Sequence, residues 1–110
     1  MTVQLDVESS SRSRNSNIVL VGRKPVMNYV VACITCFNQG FYNITLRARG
    51  PAISKAVDTV EILRRAFVQG LKMDEVKIGS EIFEKNGKKF NVSTIEMVLR
   101  KPNRPSTVQV

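Results

Sequence analysis

The sequence contains no histidine, which removes the side chain that most often acts as a general acid or base near neutral pH. Its two cysteines, Cys33 and Cys36, have no second pair and no histidine to complete a metal site, and no evident group to activate a thiol. Asp58 and Glu61 form the one carboxylate pair that catalysis could use, and Glu61 is better placed to pair with Arg65 one helical turn on. We therefore expect no enzyme activity, no metal and no cofactor.

Acidic residues are also scarce, since 9 Asp and Glu stand against 17 Lys and Arg and leave a formal net charge of +8. Such an excess of positive charge favours binding to a polyanion, although a solvated surface or a place in the ribosome would give the same composition. The length of 110 residues suits one domain with a real core and is too small for two. A single nucleic-acid-binding domain is the first expectation.

Long apolar runs are missing as well. The most apolar stretch, residues 26–37, is too short and too often interrupted to span a bilayer, and no apolar segment typical of a signal peptide follows Met1. We therefore expect a cytosolic protein without a membrane partner. Within this stretch Cys33 continues an apolar stripe at helical spacing, so both cysteines are expected to be small core residues.

Basic residues are concentrated in two turns that each lead from a predicted strand into a helix opened by proline. One turn is residues 22–25 and the other is residues 47–51. Proline suits the first helical position, and a helix N-terminus with added Arg and Lys makes a site for phosphate. If the two strands are parallel neighbours, both turns lie at the same edge of the sheet. Four cations would then face one partner: Arg23, Lys24, Arg47 and Arg49.

The pattern of apolar residues and turns predicts a β-α-β-α-β-β order. The predicted elements are a strand at 17–21, a helix at 25–38, a strand at 42–48, a helix at 51–68, and two long strands from residue 76 joined at Asn86-Gly87. Residues 1–16 form an expected disordered polar tail in which Arg12 and Arg14 could contact phosphate, and residues 102–110 form a second tail. The domain at 17–101 is expected to be a two-layer α/β sandwich, a four-stranded mixed sheet with both helices on one face.

The second helix and the long hairpin carry more apolar surface than packing within one sheet-and-helix layer would bury. An apolar stripe on the helix is expected to consist of Ile53, Ala56, Val57, Val60, Leu63 and Phe67. Ile62 and Ala66 lie off this stripe, and the surplus apolar surface suits a contact between subunits. In the last strand the apolar alternation shifts by one near Thr94, which predicts a bulge or a strong twist there. The basic hairpin tip is either a solvated loop or a contact for a phosphate backbone.

Six segments of the sequence closely resemble the archaeal Alba family of chromatin proteins. They are GRKPVMNYV at 22–30, NQG at 38–40, ARG at 48–50, AISKAVDTVEI at 52–62, IGS at 78–80 and STIE at 93–96. The resemblance covers about residues 17–101 and leaves only the tails outside. It implies a fold like the C-terminal domain of bacterial translation initiation factor three, and homodimers, or heterodimers with a paralogue, that bind double-stranded DNA with their hairpins along the minor groove.

The resemblance also assigns roles to single residues. Arg23 and Lys24 match the family's basic loop, Tyr29 and Arg49 match other nucleic-acid contacts, and Phe67 matches an aromatic residue between neighbouring dimers on DNA. Arg23 stands where many relatives carry a lysine whose acetylation is proposed to weaken binding, so any such modification would have to move to Lys24 or elsewhere. Pro51 replaces a basic residue that is common in the family.

Two functions remain open from the sequence. The first is a chromosome-associated protein of the nucleoid that coats and compacts double-stranded DNA without sequence preference, and the second is a protein that binds structured or messenger RNA, with Tyr29 as a stacking face unless it is half-buried. The candidate nucleic-acid contacts are Arg23, Lys24, Asn28, Tyr29, Arg47, Arg49, Lys55, Lys85, Asn86, Lys88, Lys89, Arg12 and Arg14. The candidate contacts within or between dimers are Ile62, Leu63 and Phe67.

Overall fold

A computed structural model describes residues 16–102, so the two predicted tails, with Arg12 and Arg14, lie almost entirely outside the described residues. The predicted order of elements is confirmed. The elements are β1 (Ile18–Leu20), α1 (Val26–Asn38), β2 (Asn43–Arg49), α2 (Ala52–Ile62), a π-helical turn (Leu63–Phe67), β3 (Lys72–Lys85) and β4 (Lys88–Arg100).

The four strands form one mixed sheet in the order β1-β2-β4-β3. β1 pairs with β2 in parallel, whereas β4 is antiparallel to both of its neighbours. On β2 the side chains of Ile44, Leu46 and Ala48 are buried and alternate with exposed or half-exposed polar ones, so one face of the sheet is covered and the other is open. Two successive right-handed crossovers in the same direction place both helices on that covered face. The predicted two-layer sandwich is confirmed.

Helix α1 buries five side chains at helical spacing against the sheet: Tyr29, Val30, Cys33, Cys36 and Phe37. Both cysteines are free and inaccessible, as their place in the apolar stripe predicts. Burial, and secondarily the neighbouring Cys36, raises the pKa of the Cys33 thiol well above its usual range. These are packing residues, and a thiol in this position stays protonated at neutral pH.

The buried stripe of the second helix differs from the predicted one. Ala56, Thr59, Val60 and Leu63 are buried, whereas Val57 is exposed. The apolar pattern does not indicate Thr59 as a core residue, because threonine carries a polar hydroxyl. That hydroxyl donates a hydrogen bond to the backbone oxygen of Lys55 at 2.8 Å, so it is satisfied inside the core.

The π-helical turn decides where Phe67 points. Its defining hydrogen bond runs from the amide of Val68 to the carbonyl of Leu63, five residues back, at 2.7 Å. In a regular α-helix Phe67 would follow Leu63 onto the buried face at i+4, but the wider turn rotates it away. Leu63 is fully buried and Phe67 is 51% exposed.

The β3-β4 hairpin turns at Asn86 and Gly87, with φ of 53° and 77°, the left-handed pair that a type I′ turn requires. Of the two alternatives predicted near Thr94, a bulge or a strong twist, the bulge is wrong. The β3-β4 pairing runs without interruption from Val76 to the tip, and its register shift lies between Met73 and Glu75. The apolar residues change faces instead. Ile95, Met97 and Leu99 of β4 lie on the helix side, whereas Phe90 and Val92 lie on the open side.

Candidate nucleic-acid interface

The two basic turns lie side by side at one end of the sheet. Leu20 pairs with Arg47 at the ends of the parallel strands, and the amide of Val21 donates to the carbonyl of Arg47 at 2.8 Å. Because parallel strands end at the same edge, the loop 22–25 and the turn 49–51 leave the sheet as neighbours, each leading into a helix N-terminus. The structure therefore brings Arg23 and Lys24 to the same end as Arg47 and Arg49.

The loop that carries Arg23 and Lys24 is held from two sides. The amides of Gly22 and Lys24 donate to the Tyr29 hydroxyl at 2.9 and 3.0 Å, and the Lys55 ammonium donates to the carbonyl of Lys24 at 2.6 Å. Tyr29 reaches the loop because long helical side chains lean back toward the helix N-terminus. Two amides of the loop are thus committed to Tyr29 rather than offered to a phosphate.

This arrangement changes the roles of two candidate contacts. The ring of Tyr29 is only 3% exposed, so it offers no stacking face and serves to position the loop. The ammonium of Lys55 is likewise engaged by the loop that it supports. Asn28, by contrast, is exposed on the first turn of α1, beside the loop.

Arg47 and Arg49 have partners that the sequence did not reveal. Arg47 pairs across the strands with Glu96 at 3.2 Å, and Arg49 lies 3.8 Å from Glu81. The guanidinium of Arg49 also lies 4.5 Å from the centroid of the Phe83 ring. These are solvent-exposed ion pairs, each contributing at most about 1 kcal/mol, so a phosphate can replace the carboxylate at small cost.

The basic hairpin tip is not part of this cluster. Lys85, Asn86, Lys88 and Lys89 are exposed at the turn. Thr94, which pairs with Arg49, lies six residues after Lys88 in β4, which separates the two by about 20 Å at the usual rise of a strand. The tip would meet a long ligand at a separate point.

The candidate contacts between subunits divide in two. Leu63 is a core residue of the single chain, which corrects its assignment to an interface, and Ile62 is half-buried against the core. Phe67 remains exposed and could contact another subunit.

Glu61 forms its ion pair with Arg64, three residues on, rather than with Arg65, four residues on.

Residues 16–102 contain no cluster of three or more metal-ligating side chains, and none of their helices is long and apolar enough to cross a membrane.

Comparison with known proteins identifies the family. The sequence model of the Alba family matches residues 17–80, more than half of the chain. The chain belongs to the Alba family. It is 47% identical over 87 residues to the DNA/RNA-binding protein Alba of Methanocella arvoryzae, covering 78% of this chain and 91% of that protein. It is 49% identical over 84 residues to the DNA/RNA-binding protein Alba of Picrophilus torridus, covering 76% and 93%.

The structure agrees with this assignment. Alba from Thermoplasma volcanium superposes with a TM-score of 0.74 at 44% identity, covering 77% of this chain and all of that one. The part of the chain matched by the Alba family model contains both basic turns and both helices, and it ends at Ser80, before the hairpin tip. The cluster at the sheet end therefore lies within the Alba domain.

Proposed function

We propose that this chain is a nucleic-acid-binding protein that holds double-stranded DNA by its phosphate backbone, without sequence preference. The observation that carries the proposal is the meeting of two basic turns, each at a helix N-terminus, at one end of the sheet. Relatives at nearly half identity are named DNA/RNA-binding proteins, which supports the same ligand class. Exposed Arg and Lys without a base-reading helix favour backbone contacts over base contacts.

The protein acts as a dimer in this proposal. The helix side of the hairpin leaves Val76, Ile78 and Ile82 exposed, because the helices do not extend over it. A second copy, or a paralogue with the same surface, would cover this apolar strip, which is unusual on a single soluble chain. Phe67 then contacts the next dimer when DNA aligns two of them, since small contacts become effective at high local concentration.

Dimers joined in this way would coat and compact the chromosome, so we place the protein at the nucleoid. Residues 17–101 form the binding domain, and Lys24 is the proposed acetylation site in the basic loop, where loss of its charge would weaken phosphate contacts. RNA is the second proposed ligand, because the relatives' names include it and the same cations would hold an RNA backbone.

Titration of a duplex at several salt concentrations tests the proposal. If a dimer displaces counterions from about six phosphates, log affinity falls against log salt with a slope near −5. A slope flatter than about −2 would contradict backbone binding. Structured RNA titrated under the same conditions tells which ligand is held more tightly.

A pair of double variants tests the site. Arg23→Ala with Lys24→Ala is expected to weaken binding to every duplex sequence alike. The fold should stay intact, because both residues lie in a loop and neither is part of the buried core. Lys88→Ala with Lys89→Ala removes the same charge from the hairpin tip and is the matched comparison. A larger loss from the tip variant would show that the sheet end is the weaker contact.

A further inference from the structure

The change of face in β4 creates an aromatic surface on the open side of the hairpin. Phe83 of β3 and Phe90 of β4 are paired directly opposite each other, and Val92 follows on the same face. Phe90 is 48% exposed and Phe83 is half-buried. We call the pair the Phe83–Phe90 platform. Exposed phenylalanines on a projecting hairpin contribute little to a core, so the platform indicates a binding surface.

Cations flank the platform at both ends. Lys85 and Lys88 form the next pair toward the tip that shares its face, about 7 Å along the strands. On the body side the Arg49 guanidinium lies over the Phe83 ring at 4.5 Å. Aromatic rings interleaved with Lys and Arg are the combination that binds unpaired nucleic acid, because rings stack on bases while the cations meet phosphates.

A second copy of the chain is the competing occupant. The helix side of the same hairpin already carries the exposed apolar strip of Val76, Ile78 and Ile82, and the platform lies on the opposite face. A partner lying flat on that strip leaves the platform uncovered. The charged neighbours of the platform also suit a wet, anionic ligand better than a dry protein contact. A regular duplex offers the rings less than a single strand does, because its bases are stacked on each other and only their edges are open in the grooves.

We propose that the Phe83–Phe90 platform binds unpaired segments of RNA or DNA, with a base stacked on Phe90 and its neighbouring phosphates held by Lys85 and Lys88. The inference rests on the proposed nucleic-acid binding and assigns it a further substrate class. Phe83 supports the stack from the side, with its own ring partly covered by Arg49. The platform lies beyond Ser80, where the match to the Alba family model ends.

The test compares Phe90→Leu with the wild-type protein on oligothymidine, oligouridine and a duplex of equal length. Leucine keeps the apolar character and removes the ring, so affinity for both single strands should fall about tenfold while duplex affinity changes less than about twofold. Tyr42→Leu is the matched control, because Tyr42 is also an exposed aromatic residue near a lysine, Lys101, but lies at the opposite end of β2. It should leave all three affinities unchanged.

A second measurement changes the nucleic acid instead of the protein. Single strands in which abasic sites replace the bases keep every phosphate, so they should bind the wild-type protein about tenfold more weakly than intact strands. For the Phe90→Leu variant the difference between intact and abasic strands should be much smaller. Equal affinity of the wild-type protein for intact and abasic strands would overturn the proposal.

Two other results would also overturn it. In the first, Phe90→Leu binds single strands as tightly as the wild-type protein does, and its binding to duplex still weakens steeply with salt. The platform would then have no role in binding, and the proposed function would stand. A shift of Phe90→Leu from dimer to monomer in sedimentation would assign this face to a protein contact. Failure of the proposed function looks different, because the wild-type protein would then bind neither duplex nor single strands.

Discussion

Replacing Tyr29 by phenylalanine removes one oxygen atom and tests how the basic loop is held. That oxygen accepts from the amides of Gly22 and Lys24, at 2.9 and 3.0 Å. A hydrogen bond of this kind contributes about 1 kcal/mol net, and both donors are half-buried, so water replaces part of the loss. We expect the free energy of unfolding to fall by about 1–2 kcal/mol, which lowers Tm by roughly 5–10 °C in a domain of this size.

The same variant should weaken DNA binding without changing the number of phosphate contacts. Arg23 and Lys24 would remain, but the loop would have to be ordered on binding, at a cost of about 1 kcal/mol or a fivefold loss of affinity. The slope of log affinity against log salt should stay that of the wild-type protein, because no cation is removed. Circular dichroism melting and duplex titration at three salt concentrations measure both effects.

Tyr42→Phe is the matched control, since Tyr42 is the other tyrosine of the chain and its side chain is 71% exposed. It should change neither Tm nor affinity. The reasoning about the loop is refuted if Tyr29→Phe melts and binds like the wild-type protein.

Three further predictions concern the core, the open face and the thiols. Leu63→Ala should lower the free energy of unfolding by about 2–5 kcal/mol and Phe67→Ala by under about 2 kcal/mol, because Leu63 is fully buried and Phe67 is half-exposed. The main effect of Phe67→Ala should be a lower cooperativity of binding to long duplexes. If thermal melting shows equal losses of stability in the two variants, Phe67 is a core residue. Glu81→Gln should raise duplex affinity by up to about fivefold, because it frees Arg49 from a competing carboxylate. Unchanged affinity at low salt would show that this pair does not compete with phosphate. Both thiols, with the pKa of Cys33 raised by burial, should react with a disulfide reagent at pH 8 only when the protein unfolds. Fast reaction of the native protein would contradict their burial.

Much of the fold could be predicted because its signals are local. Prolines at residues 25 and 51 open two helices, the Asn86-Gly87 pair sets a hairpin turn, and alternation marks the strands, each independently of distant residues. The parallel pairing that brings the two basic turns together then follows from chain order and the right-handed crossover. The cluster of cations was therefore accessible from the sequence, and the family was accessible from the resemblance of six segments to the Alba proteins.

Other features depend on residues that are far apart in the chain. The partners of Arg47 and Arg49 are set by the register of β3 and β4, which no short pattern encodes. The π-helical turn that exposes Phe67 contains one residue more than an α-helical turn. The spacing of the apolar residues does not reveal this turn, because the same spacing suits a regular α-helix.

The strong positive charge, the turns, and the type and order of the helices and strands can be read from the sequence. The contacts of individual side chains depend on the tertiary fold. That fold buried Tyr29 as a support for the basic loop, placed Leu63 in the core, and set Phe83 opposite Phe90 on an open face. The physical reason is that burial and pairing are properties of surfaces assembled from distant segments, whereas helix starts and turns are properties of a few consecutive residues.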